Sequence, residues 1–317
     1  MALSFRAWFN RVVGFCWELI VMSWLTVYYI GESTLFTVTP AFLLPRKSLR
    51  GQVVLITGGA GGLGQQLALR LAKSKAKVVV WDINETALEK TKELLAGHEI
   101  HTYVVDLASR QNVYKNADLV KSEVGPVDIL INNAGIVCGK TLLDLPDNMI
   151  EKTFQVNILA HYWTTKAFLG DMLKRGRGHI VTVASIAGLM GTYRCTDYSA
   201  TKFAAVGFHE SLFTELRTHR HDKIYTTLVC PYFIDTGMFA GCKPRMLPML
   251  EPAVVAKRIV TAIKTNEVTV VMPRAARYLL PLKSILPADL CWAIMYRVYQ
   301  GPQAMKTFRG SQEIVAA

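Results

Sequence analysis

Apolar positions follow two different patterns along the chain. Residues 12–31, VVGFCWELIVMSWLTVYYIG, form a twenty-residue apolar run with one charge, Glu18. That length suits a helix crossing a bilayer. An ionised Glu18 at the bilayer centre would cost about 2.5–3.5 kcal/mol. A second apolar stretch, residues 34–44, contains Pro40, and the pair predicts a hairpin or an in-plane anchor. Trp17, Trp24, Tyr28 and Tyr29 suit a membrane interface. Arg6 and Arg11 precede the run, and Arg46, Lys47 and Arg50 follow it, so flanking charge sets no orientation. The run is long for a signal peptide and no small-x-small site follows it. Residues 1–48 are therefore assigned to a hydrophobic membrane anchor.

From residue 52 the period changes. Short β-branched runs alternate with helical stretches: QVVLIT then 62–74, KVVVWD then 85–96, TYVVD then 110–123, DILINNAG then 147–173. HIVTVAS then 196–218, YTTLVC then 252–265, and finally VTVVMP complete the series. Such alternation predicts an α/β fold, a doubly wound parallel sheet of the Rossmann type with helices on both faces. This domain is placed at 49–274. Residues 275–317 mix basic and large apolar side chains, with prolines at 281 and 287. They predict a substrate lid or a membrane-associated segment.

Composition narrows the picture. Apolar residues make up 51% of the 317, and the formal net charge is +12. A basic balance fits nucleic acid, anionic membrane or an anionic ligand. No nucleic-acid motif or aromatic-basic platform is present, so membrane is the preferred partner and nucleic acid is not expected. Six cysteines are scattered without a CxxC pair, as expected of reduced thiols in a cytosolic environment. His219 and His221 form an HxH in a charged stretch, read as a solvated loop; no metal site is expected.

The segment TGGAGGLG (57–64) follows the first strand and opens a helix. Glycine permits positive φ and close approach of the backbone to a pyrophosphate, and the helix N-terminus offers free N–H groups. Gly58, Gly62, Leu63 and Gly64 are thus candidate cofactor-binding positions. Asp82 ends the second strand, 18 residues after Gly64. A carboxylate there accepts hydrogen bonds from ribose hydroxyls and repels a 2′-phosphate. Gly59, Ile83 and Asn84 supply no cation to hold such a phosphate, so NAD is favoured over NADP. Asp106 and Asn133 end the next two strands on the same rim, where ligands bind in open α/β sheets.

Tyr198 and Lys202 are four residues apart in YSATK, a spacing that puts both on one helix face. A nearby ammonium favours the phenolate and fits the tyrosine for proton exchange with an alcohol. Ser185 ends the fifth strand and is placed to hydrogen-bond the reacting oxygen. Asn157 is expected to hold a water linking Lys202 to solvent. Singly, each residue has a bland reading as a cap or a solvated pair; their order along a dinucleotide fold changes that.

These motifs resemble the short-chain dehydrogenase/reductase family over about residues 50–274. TGGAGGLG matches its glycine motif, NNAG is intact, and Asn157, Ser185, Tyr198 and Lys202 match its catalytic tetrad. The resemblance further implies that Lys202 binds the nicotinamide ribose and that Thr236 contacts the carboxamide. Tyr232 departs from the family, which commonly has glycine there. Stretches such as VVVWDIN, HYWTTKAFL and TTLVCPYFIDTGMF resemble a membrane-associated branch of retinol and 17-beta-hydroxysteroid dehydrogenases. That likeness implies a lipophilic alcohol as substrate, retinoid before steroid, and residence on the endoplasmic reticulum membrane or lipid droplets. It also implies a homodimer paired through the helices near 147–173 and 196–218. A glycan at the sequon Asn84-Glu85-Thr86 would crowd the adenosine site, so the catalytic domain is expected to face the cytosol. A non-catalytic interaction protein on the same scaffold is the alternative of another class.

Overall fold

A computed structural model describes residues 2–39, 43–245 and 247–310, with the side chains of 2–5, 33 and 36–38 outside the description. The chain divides into two compact units, Met1–Arg46 and Lys47–Ala317.

Among its described residues the first unit holds one helix, α1 (Ala2–Val38). Of the hairpin and the in-plane anchor left open above, no reversal occurs as far as Val38: the helix runs unbroken through Gly31 and Thr34, and Pro40 lies outside the described residues. Its hydroxyls are absorbed into the helix. Ser23, Thr26 and Thr34 each donate to the carbonyl four residues back, at 2.7–2.8 Å. Polar side chains satisfied in this way carry no signal to stop. Within α1, Arg6–Glu32 is long and apolar enough to cross a membrane. At 1.5 Å per residue it spans about 40 Å, more than the roughly 30 Å hydrocarbon core.

The second unit is built on seven parallel strands. These are β1 (Val53–Thr57), β2 (Lys77–Asp82), β3 (Ile100–Val104), β4 (Ile129–Asn132), β5 (Gly178–Val183), β6 (Ile224–Pro231) and β7 (Thr269–Met272). Their order is β3-β2-β1-β4-β5-β6-β7, the doubly wound topology. All five residues of β1 are buried, as expected of a strand covered on both faces.

The connecting helices are α2 (Gly62–Lys73), α3 (Glu85–Leu94), α4 (Arg110–Glu123), α5 (Asp147–Phe154), α6 (Ala160–Arg175), α7 (Thr196–Thr218) and α8 (Pro252–Thr265). Local chemistry sets their ends. Asn84 and Ser109 cap α3 and α4 through side-chain oxygens that accept from Ala87 and Asn112 N–H groups. Gly176, at φ +62°, terminates α6 in the left-handed conformation.

The two faces of the sheet carry separate cores. Leu67 and Leu71 of α2 and Ile259 and Ile263 of α8 pack with Val54, Ile56 and Val80 on one side. On the other, Leu55, Val79 and Trp81 meet Val113, Phe168 and Leu216. Trp81 and Phe168 lie 5.9 Å apart between ring centroids.

The helix expected over 147–173 is interrupted. Residues Gln155–Leu159 form a π turn between α5 and α6, and Asn157 sits in it with its side chain buried. Such single turns insert one extra residue and recur at functional sites.

After β7 come α9 (Ala276–Leu279), α10 (Ala288–Ala293) and α11 (Gly301–Met305), with irregular helical turns between them.

Candidate active site

The order of strands reverses at β1, between β2 and β4, so the carboxyl ends of these strands flank a crevice. The glycine turn leads from β1 into it. Gly58 has φ +60°, and a Cβ there would lie 2.8 Å from Ala134 Cα. A Cβ on Gly64 would lie 2.2 Å from the Gly58 carbonyl oxygen. The turn is therefore folded tightly on itself, and only glycine fits. The N-cap of α2, Gly61, supplies no side-chain cap, so the first N–H groups of the helix, Gly62 to Gly64, face the crevice without an intrahelical partner. An uncapped, positive helix end behind a cradle lacking side chains fits a pyrophosphate. Leu63 lies in the same turn with its side chain buried in the core.

Asp82 closes the crevice at the end of β2. Its carboxylate accepts from the Ala60 N–H and the Asn84 N–H, both at 3.1 Å, which fixes it beside the glycine turn. Asn84, the sequon residue, spends its side chain capping α3. Asp106 accepts from the Ala108 N–H at 2.9 Å, bending the chain away after β3.

Asn133 works inward. Its amide donates to the carbonyls of Thr57 and Gly58 at 3.0 Å each, while Thr57 Oγ1 accepts from the Asn133 and Ala134 N–H groups. The pair ties the end of β4 to the glycine turn. Thr236, from the loop after β6, packs against Gly62: a Cβ on that glycine would lie 2.9 Å from Thr236 Cβ.

Asn157, Ser185, Tyr198 and Lys202 gather at the ends of β4, β5 and α7. Tyr198 is 5% exposed and Lys202 3%. The Lys202 ammonium lies 5.6 Å from the Tyr198 ring centroid and donates to the Val183 carbonyl at 3.0 Å. Ser185 caps the turn after β5, accepting from the Ala187 N–H at 3.1 Å and donating to the Pro231 carbonyl at 3.4 Å. A Cβ on Gly135 would lie 3.4 Å from both Asn157 Oδ1 and Lys202 Nζ, so this glycine leaves room where the two meet.

Asn157 Oδ1 accepts from the Ile136 N–H at 2.8 Å, and its Nδ2 donates to the Ile136 carbonyl and to Thr201 Oγ1. It clamps the chain after β4 against α7. One expectation changes. The phenol of Tyr198 was expected to be acidified by Lys202. Burial instead pushes it well above its usual value, opposed by the Ser185 hydrogen bond and reinforced by Cys195. Burial also lowers Lys202 to about 8, against a smaller opposing effect of Cys230. Below about pH 8 the pair is therefore a neutral phenol beside a charged ammonium.

Sequence reasoning missed Thr57, Gly135 and Thr201, which fasten the site. Thr57 and Gly135 stand inside TGG and NNAG, but their partners are distant in sequence. It also missed an aromatic wall: Phe239 meets the Tyr198 ring edge-on at 5.9 Å, and Phe308 meets Phe239 at 6.2 Å. Among the described residues no cluster of His, Cys, Asp or Glu is arranged to hold a metal, and all six cysteines are free.

A doubly wound sheet with a glycine cradle and a buried Tyr-Lys pair beside Ser185 defines a dinucleotide-dependent oxidoreductase. The chain belongs to the short chain dehydrogenase family, whose model matches residues 52–246. It is 45% identical over 270 residues to a protein named epidermal retinol dehydrogenase 2 from Mus musculus, covering 82% of this chain and 87% of that one. Among solved structures, a short chain dehydrogenase/reductase from Burkholderia phymatum in complex with NAD superposes with a TM-score of 0.70 at 26% identity. That match covers 75% of this chain and 95% of that one. A metagenomic short-chain oxidoreductase in complex with NADP superposes with a TM-score of 0.61 at 27% identity, covering 71% and 97%. The fold and site thus serve NAD(P)-dependent oxidoreduction, in a chain similar to retinol dehydrogenases.

Proposed function

We propose that this chain is a membrane-attached, NAD-dependent dehydrogenase that converts all-trans-retinol to retinal. The observation that carries the chemistry is the meeting of Ser185, Tyr198 and Lys202 beneath the glycine cradle. A bound nicotinamide ring would supply the hydride acceptor and a positive charge. Tyr198 takes the proton of the substrate hydroxyl, Ser185 orients the oxygen, and Lys202 favours the phenolate. Lys202 also binds the nicotinamide ribose. Asn157 and Asn133 act by holding the backbone around the site, and Thr236 lies where the carboxamide would be met. Gly58, Gly62, Leu63 and Gly64 cradle the phosphates, and Asp106 borders the adenine.

NAD rather than NADP rests on Asp82, whose fixed carboxylate would repel a 2′-phosphate. The retinoid rests on likeness to the mouse protein by name. Membrane attachment, on endoplasmic reticulum or lipid droplets, is supported by Arg6–Glu32. Six free thiols and a capping role for Asn84 support a cytosolic catalytic unit. A homodimer remains part of the reading by family likeness.

Full-length protein in microsomes, offered NAD and a panel of retinoids, 17-beta-hydroxysteroids and fatty alcohols, should form retinal fastest. Preference for a steroid would replace the retinoid. Survival of turnover in Tyr198→Phe, or of the cellular effect in a Tyr198 and Lys202 double variant, would reject the enzyme reading in favour of a scaffold.

A further inference from the structure

Residues 274–298 hold a concentration of large apolar side chains that the fold does not bury. Tyr278, Leu282, Ile285, Leu290, Trp292 and Tyr296 are all exposed, Ile285 at 80% and Trp292 at 61%. Burying one such side chain gains roughly 1.5–3 kcal/mol, so six left in water within one short segment mark a contact surface. The inner side of the segment is fastened. The Lys283 ammonium donates to the Leu189 carbonyl and lies 4.7 Å from the Phe203 ring centroid. The apolar side chains are thus held on the outside of a supported layer.

We infer that this layer is a membrane-docking surface of the catalytic unit, occupied by an anionic lipid bilayer. Three observations select that occupant. Arg274, Arg277 and Arg297 are set against one acid, Asp289, which complements anionic headgroups. Trp292 and Tyr296, stacked at 4.9 Å, are the amphipathic aromatics that occupy a headgroup boundary. The segment lies in short helical pieces, α9 and α10, broken at Pro281 and Pro287, too short to span and suited to lie in the interface plane. The chain then runs directly into the wall of the candidate site: Met305 and Phe308 pack with Phe239 and Tyr198. A lipophilic alcohol would enter from the bilayer beside this layer without crossing water. The inference rests on the membrane attachment proposed above.

The test uses the full chain with Cys16, Cys138 and Cys291 replaced by serine and Ile285→Cys carrying an environment-sensitive fluorophore. It is reconstituted in phosphatidylcholine vesicles with or without phosphatidylserine. Leu143→Cys, at a side chain 98% exposed on the loop after β4, is the control. The 285 label should shift to the blue and be strongly quenched by spin-labelled lipid, more so with phosphatidylserine, while the 143 label stays in water. A 285 label in water overturns the surface. A label that is shielded yet unaffected by spin-labelled lipid overturns it in favour of a second copy of the chain. Protein that fails to float with vesicles overturns the attachment as well. Protein that floats with its 285 label in water overturns this surface alone, and no outcome depends on which alcohol is oxidised.

Discussion

Tyr198 and Lys202 show how much of a site can be read from spacing and how much cannot. The helix face they share follows from four residues of separation. Their electrostatics follow from burial, which no local pattern reveals. With Lys202 lowered to about 8, its charge is lost as pH rises through that value. The expected outcome is an alkaline limb in the kcat/KM profile near pH 8. Lys202→Arg, whose guanidinium stays charged, should remove the limb while lowering the rate, as pH–rate profiles of both proteins would show. Tyr198→Phe should cut kcat by about 10²–10⁴, the range ascribed to a lost general acid–base, with cofactor binding retained in a fluorescence titration. Asp82→Ala should bring the KM for NADP down toward that for NAD; an unchanged ratio would remove Asp82 from the assignment. The glycines, Asp82 and Ser185 were legible because each ends or follows a strand. The embrace of Thr57 by Asn133 joins the ends of β1 and β4, that of Ile136 by Asn157 joins the chain after β4 to the π turn, and only tertiary contact exposes either.

At the scale of elements, strand and helix order was legible almost throughout, because both faces of the sheet are covered and every strand but the edge strand β3 is a short, largely buried run. Two elements departed from expectation. The helix expected over 147–173 contains a π turn, since one added residue shifts the backbone register without erasing the apolar period. At the amino terminus, where a hairpin or an in-plane anchor was expected, one helix continues to Val38, since hydroxyls bonded to their own helix do not break it. The glycine turn is where an element is least tolerant. Gly64→Ala would drive a methyl into the Gly58 carbonyl and onto the Gly59 backbone. Overpacking of this kind costs typically 1–3 kcal/mol. A fall in Tm together with loss of the stabilisation by added NAD is expected in thermal melts.

The whole molecule stores a pH sensitivity in its interior. Burial lowers His161 to about 3, with help from the Lys202 charge, lowers His209 to about 4, and depresses His179 well below the usual value. The unfolded chain binds these protons near pH 6.5, so it holds more protons than the folded one below that pH. Stability is therefore complete above about pH 6.5 and is lost as pH falls toward 4. Melts from pH 7.5 to 4.5 should show Tm falling, and less steeply in His161→Phe if this ring contributes; a flat profile would contradict it. None of this was legible in the sequence, where seven histidines read as scattered polar residues.

The edge of Phe239 resting on Tyr198 has a kinetic consequence. Phe239 is itself braced by Phe308. An alcohol of any tail length would pass this aromatic wall to bring its oxygen to Tyr198. Where movement of the wall limits entry, the pace is set by the protein and not by the guest. Good substrates of different size should converge on a shared ceiling in kcat/KM. Phe239→Ala should raise that ceiling for all of them and blur the preference between long and short tails. Stopped-flow traces of cofactor reduction across a chain-length series would show the convergence directly.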